Sequence, residues 1–185
     1  MAKVQPKHLA ETVRQGILVG IAGGFAEIAW IAAYGAASGH DTTAVARAIS
    51  TTIAWVLPGG SPIAGSIGFG IAFHMIAAVG LGLALAFVWR ELMAREPAVV
   101  NEYTFMAGAL TIVWAFNFFV VLPQISPALP DVHHAFVEIV PYLASLISKL
   151  LFGLAGAAVI RYGASDRTAW LASHVRACPI GRAAS

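Results

Sequence analysis

Four strongly polar side chains stand inside four long apolar stretches of this sequence: Glu27, His74, Asn117 and Lys149. A carboxylate, an imidazole, a carboxamide and an ammonium are groups that pair charges, pass protons or hold a polar solute. An ionisable group in hydrocarbon costs at least ~2.5–3.5 kcal/mol on insertion scales unless a partner compensates it, so their depth matters. Glu27 is 13 residues from Arg14, His74 is 15 from Trp89, Asn117 is 14 from Tyr103 and Lys149 is 12 from Arg161. At a rise of about 1.5 Å per residue, all four lie roughly 18–22 Å from the basic end of their helices. Helices that alternate in direction bring the four to one level.

The small residues around them say which way they face. Gly16, Gly20 and Gly24 recur every four residues, and Glu27 continues that face. Ser66, Gly70, His74, Ala78 and Gly82 share a second stripe, and Ser145, Lys149, Gly153 and Ala157 a third. Small residues at this spacing let membrane helices approach closely. Glu27 and Lys149, opposite in charge and similar in depth, are expected to pair, with His74 beside Glu27. Asn117 sits between Val113 and Val121 in its row, so its facing stays open. Such a layer has two readings: it locks helix register, or it marks a proton or ion path or a ligand site. Two axial histidines are usual for a b-type haem and only His74 lies at this depth, so no haem is expected.

A second set of candidates lies at the opposite ends of the helices. His40 and Asp41 follow the first apolar stretch, and His133, His134 and Glu138 precede the fourth. His134 and Glu138 are four apart and share a helix face. Imidazole and carboxylate together suit zinc or copper. No tight motif joins the two segments, and the preferred reading is of ordinary polar residues at helix ends. No metal or other cofactor is expected.

The elements that must position these residues follow from composition. Of 185 residues, 59% are hydrophobic and 11% charged, against about 25% charged in soluble domains. The apolar residues come in four blocks, about 15–38, 63–89, 104–122 and 139–160, each near the ~20 residues that cross a bilayer as a helix. The expectation is an all-α integral membrane protein, four transmembrane helices in an up-down bundle, forming one membrane domain over 1–162. A polar cytoplasmic tail is expected over 163–185, docked through Trp170 and its arginines on a partner or on the membrane surface. The first block is longer than the 7–15 residues of a usual signal core and carries Glu27, so it is read as a span.

Lys3, Lys7, Arg14, Arg90, Arg95, Arg161, Arg167, Arg176 and Arg182 fall on one side of an alternating topology and Arg47 on the other. The positive-inside rule places both termini in the cytoplasm. On the outer side, Val45, Ile49, Ile53 and Val56 form one stripe of a short helix over about 43–57, with Arg47, Ser50 and Thr51 off it. That helix is expected to lie in the interface, anchored by Trp55 and ended by Pro58, Gly59 and Gly60. Pro123, Pro127 and Pro130 predict a stiff second outer loop, Asp131 is a candidate cap, and Pro141 is expected to kink the fourth helix near its start.

From about Ile63 to Tyr162 the chain resembles small four-helix bacterial inner-membrane proteins, the YagU-like group among them. The stretches that carry the resemblance are GFGIAFHMIAAVGLGLALAF, AGALTIVWAFNFFVVLP and KLLFGLAGAAVIRYG. It implies the fold and an inner-membrane location, and no activity.

Function is bounded mainly by exclusion. A net charge of +2 gives no argument for nucleic acid. The single cysteine, Cys178, allows no intramolecular disulfide and no cysteine-based cluster. There is no phosphate-cradling glycine loop, no serine elbow and no paired-carboxylate arrangement, so no enzyme is expected. A bundle this small is expected to have little room for a cavity. The first expectation is an accessory or scaffolding subunit of a larger membrane complex. Its partners are lipid and other integral subunits or copies of itself. The alternative is a small transporter or channel for protons, an ion or a small solute that uses the polar layer.

Overall fold

The computed structural model describes residues 6–57, 61–95, 100–125 and 137–177, and the regular structure among them is helical. Helix α1 spans Pro6–Ser38, α2 Ala44–Val56, α3 Ile67–Arg95, α4 Glu102–Phe116 and α5 Tyr142–Ala177. A 3-10 turn at Ser61–Ile63 leads into α3. Helix α4 continues through a π-helical stretch, Asn117–Val121, into a last turn, Leu122–Ile125. Four helices are long and apolar enough to cross a membrane: α1, α3, α4 with its continuation, and α5. Their outward side chains are apolar too, with Ile76 and Ile112 each 71% exposed. So much exposed hydrocarbon suits a lipid surround, and helices satisfy their own backbone there.

The ends of the elements have local causes. Helix α1 ends where Gly39 takes φ of 73° and the His40 amide donates to the Gly35 carbonyl at 2.9 Å. Only glycine takes that left-handed position cheaply, and the bond satisfies one of the last orphan carbonyls. Asn101 caps α4, its Oδ1 accepting from the Thr104 amide at 2.8 Å. The kink expected at Pro141 is not inside a helix. Pro141 immediately precedes α5, and its carbonyl accepts from the Ser145 amide at 3.0 Å. Helix α5 also runs on past Gly163, where the apolar span ends, to Ala177, so 163–177 is helical. Pro123, expected in the outer loop, instead lies in the last helical turn, Leu122–Ile125, after the π stretch that accommodates its missing N–H. Pro58, Gly59, Gly60, Pro127, Pro130, Asp131, His133, His134, Cys178 and Arg182 lie outside the described residues, and with them the rest of the loop and the cap expected there.

Helix α1 packs against both α3 and α5, and α4 against α5, whereas α3 touches α4 sparingly. Glycine sets the closeness of the α1–α3 crossing. A Cβ at Gly16 would lie 2.7 Å from the Leu83 Cα. One at Gly20 would strike the Val79 Cα and the Ala78 carbonyl, and one at Gly82 the Gly16 carbonyl. Gly24 faces Ala78 and Met75, while Gly153 faces Leu110 and Met106 of α4. Val19, Met106, Leu110, Phe152 and Ala157 are fully buried and close the half of the bundle nearest the basic residues. At that end Arg90 donates to Thr12 at 3.1 Å, and the Trp89 and Phe105 rings meet at 5.2 Å.

Helix α2 packs on α3. A Cβ at Gly70 would meet the Ala46 carbonyl. Ser50, which the apolar stripe leaves on the polar side, is instead fully buried, and Ala54 is buried one turn on. The Ser50 hydroxyl donates to the Arg47 carbonyl at 2.9 Å, so its burial leaves no orphan donor. Ala46, Ser50 and Ala54 recur every four residues, and it is this small-residue face that lets α2 lie close to α3. Trp55 is 70% exposed.

Candidate functional site: a charged cluster at the floor of a cavity

Glu27 stands on α1 one turn beyond Gly23 and Gly24, where the helix is held between α3 and α5. Its side chain is 4% exposed. Lys149 of α5 approaches it with Nζ 2.6 Å from Oε1. The Ser148 hydroxyl lies 3.4 Å from the same oxygen. His74 of α3 brings Nε2 to 3.5 Å from Oε2. That separation is at the edge of a hydrogen bond, and buried Nε2 has no hydrogen-bond partner among the described residues. Three titratable groups from three helices thus meet in series, with the carboxylate in the middle. A short charge-assisted contact offsets the loss of water for both ions.

The cluster is the floor of a cavity of about 400 Å³. This corrects the expectation that a bundle of this size has little such room. The space lies where α3 and α4, which touch one another sparingly, leave room between α1, α2 and the continuation of α4. Glu27, His74, Asn117, Ser145, Ser148 and Lys149 supply the polar lining at its floor, and Thr42, Thr43 and Thr52 line it beside α2. Apolar walls come from Ile28 and Ile31 of α1, Ile49 and Ile53 of α2, Ile71 of α3 and Phe118 after α4. Pockets that hold small molecules have this make-up, mostly apolar with a few convergent polar groups.

Asn117 reaches this cavity through the π-helical stretch that it begins. A π turn absorbs an extra residue, and such turns are frequent at functional sites. Pro123 explains its place, since proline cannot donate to a carbonyl in the turn before it. Phe118 is buried, and Trp114, Phe118, Phe119 and Tyr142 pack ring to ring across to the start of α5. The Trp114 indole N–H donates to Ser145 Oγ at 2.9 Å, and the Trp30 indole to the Ala144 carbonyl at 2.9 Å. These two indoles fix the first turn of α5 from both sides and so fix Ser148 and Lys149. Sequence reading misses Ser148 and both tryptophans. The signal available is the 145/148/152 spacing, which puts Ser145, Ser148 and Phe152 on neighbouring faces of one helix.

Of the outer candidates, His40, Asp41 and Glu138 lie among the described residues, and each has its own surroundings. Asp41 forms an ion pair with Arg47, and its Oδ1 accepts from the Thr43 amide at 2.8 Å and from the Thr43 hydroxyl at 2.6 Å. His40 Nδ1 is 2.8 Å from the Ser38 hydroxyl, and Glu138 is exposed. Among the described residues no group of three or more histidine, cysteine, aspartate or glutamate side chains could hold a metal. No protein-family model, curated protein or solved structure matches this chain.

Proposed function

We propose that this chain is a small, non-enzymatic transporter of the bacterial inner membrane that admits a proton or a small solute to the Glu27–His74–Lys149 cluster. The observation that carries this reading is a buried charged cluster on the floor of a cavity of about 400 Å³, with a glycine-packed half and its fully buried side chains beneath it. Ionisable groups at membrane depth that border a cavity belong to substrate and proton routes more often than to plain scaffolding. In the proposed mechanism His74, whose side chain is 24% exposed, meets the incoming species, and Glu27 takes up a proton as its contact with Lys149 loosens. No chemical step, metal, haem or nucleic acid enters. In proteoliposomes containing only this protein, a proton or ion flux is expected, and Glu27→Gln should lower it by about 100-fold or more, the scale on which a positioned proton-transfer group acts. A Glu27→Gln protein that folds and transports at the native rate would reject the reading.

The arrangement proposed is an up-down bundle with both termini in the cytoplasm and α2 in the outer interface, anchored by Trp55. Basic residues support the orientation, and the resemblance of 63–162 to small four-helix inner-membrane proteins supports the location. Native Cys178 is expected to resist an impermeant thiol reagent in intact cells and to react after lysis. Strong labelling of intact cells would invert the topology.

A second reading, an accessory or scaffolding subunit, is favoured by α5. That helix has 36 residues and so spans about 54 Å, far beyond a hydrocarbon core of about 30 Å. The length past Gly163 suits docking on another membrane subunit or a second copy. Loss of flux together with co-purification of a fixed partner would favour this reading over the first.

A further inference from the structure

The ligand of the cavity can be narrowed by charge balance and by the route in. The floor is internally compensated, since Glu27 and Lys149 pair at 2.6 Å. A charged ligand would leave one unpaired charge in a nonpolar surround, which is expensive. Above that floor most of the lining is apolar, with isoleucine the commonest residue, and Thr42, Thr43 and Thr52 add hydroxyls on the side of α2. A lateral route is offered where, among the described residues, α3 and α4 touch sparingly: their ring contact is at Trp89–Phe105 near the basic end, and His74 and Asn117 line the cavity farther up. Ile67, Ile71 and Phe73, which line the cavity, are also 37–41% exposed on the spanning helix α3. The α3 wall of the cavity is therefore continuous with an apolar, exposed helix face. The Asn117 carboxamide is half-buried, and no hydrogen bond to its side chain occurs among the described residues.

From this we infer that the cavity takes a neutral lipophile from the bilayer, entering between α3 and the outer end of α4, with a hydroxyl or carbonyl head placed at Asn117 and the Glu27–His74–Lys149 cluster. The inference rests on the reading of the cavity as a solute site and names the class of solute. A long-chain alcohol and a quinone share the required chemistry: one oxygen head on a hydrocarbon body. Asn117 can donate to a carbonyl or accept from a hydroxyl.

Photolabelling of the full-length protein in lipid nanodiscs tests this. The probes are a diazirine-bearing hexadecanol, the matching hexadecanoic acid and the matching hexadecylamine. The alcohol should label residues 67–74 and 117–122 saturably, about tenfold more strongly than either charged probe, the factor expected for a difference of ~1.4 kcal/mol. Equal or stronger labelling by the acid or the amine overturns the neutral class. Excess unlabelled dodecanol and a short-tailed benzoquinone are the two competitors. Competition by either supports the inference and names the head group, and competition by neither overturns it. Asn117→Leu should weaken alcohol labelling roughly two- to tenfold, as for one hydrogen bond. Ile71→Trp, which fills the mouth, should weaken it further, and Ile112→Trp on the outer face should not. Equal effects of Ile71→Trp and Ile112→Trp would overturn the inference. Glu27-dependent flux without cavity labelling rejects the lipophile and leaves the transporter. Cavity labelling without flux rejects the transporter and leaves the site.

Discussion

Replacing Lys149 with leucine is expected to destabilise the protein by about 3–5 kcal/mol, and replacing Glu27 with leucine in the same chain should recover most of that loss. Glu27 is the most enclosed charge among the described residues, 3% exposed overall. With Lys149 gone, its nearest contacts would be the Ser148 hydroxyl at 3.4 Å and a His74 nitrogen at 3.5 Å. Neither supplies the charge and geometry that Nζ does at 2.6 Å. A pair of leucines removes both the attraction and the need for it, and such replacements are often neutral or stabilising. Reversible unfolding of the single and double variants in mixed micelles measures the cycle. Purely additive losses would mean that the two charges do not depend on one another, and the pairing at the floor would carry no energy.

Gly20→Ala is expected to cost at least as much as an overpacked core residue, about 1–3 kcal/mol, although it adds a single methyl group. The new Cβ would meet the backbone of Ala78 and Val79, and no side-chain rotation clears it. The helices must part, and with them the fully buried contacts around Val19 and Phe152. Gly80→Ala is the matched comparison. Its Cβ would have nothing within 4 Å, and the gain in helix propensity should stabilise by about 0.5–1 kcal/mol. Thermal unfolding of the two variants should therefore move in opposite directions. Equal shifts would show that the α1–α3 crossing is not set by glycine.

Much of this is legible in the sequence because lipid leaves little choice of structure. Four apolar blocks of bilayer length dictate four helices, and counting depth from the basic ends places Glu27, His74 and Lys149 at one level. Glycine spacing also points to close helix contacts. The hidden part depends on how helices diverge rather than on what they contain. The cavity arises from a gap between α3 and α4, and no run of residues encodes a gap. Ser50 reads as a polar-side residue because a hydroxyl counts as exposed in a periodic pattern. The bond back to the Arg47 carbonyl makes it behave as a small packing residue. The end of α5 reads as a tail because apolar periodicity stops near Tyr162, although polar residues continue the helix to Ala177. Trp30 and Trp114 read as ordinary apolar residues, and their indole hydrogen bonds to α5 emerge once the helices are placed.

The π turn at Asn117–Val121 makes chain length part of the site. An α turn needs one residue fewer to cover about the same rise. Deleting one residue between Trp114 and Pro123 would let the helix close into regular α geometry with its apolar character intact. The bundle would survive such a deletion, because Trp114 and Ser145 meet on its near side. The residues beyond it would keep their facing, because the π turn is where the extra residue is absorbed, and the change would fall on Asn117, Phe118 and Phe119 within the turn. A chain of this kind that is one residue shorter here would keep the architecture and surrender the carboxamide at the mouth, so a gap at this point in any sequence comparison separates those that retain the site from those that retain the scaffold alone.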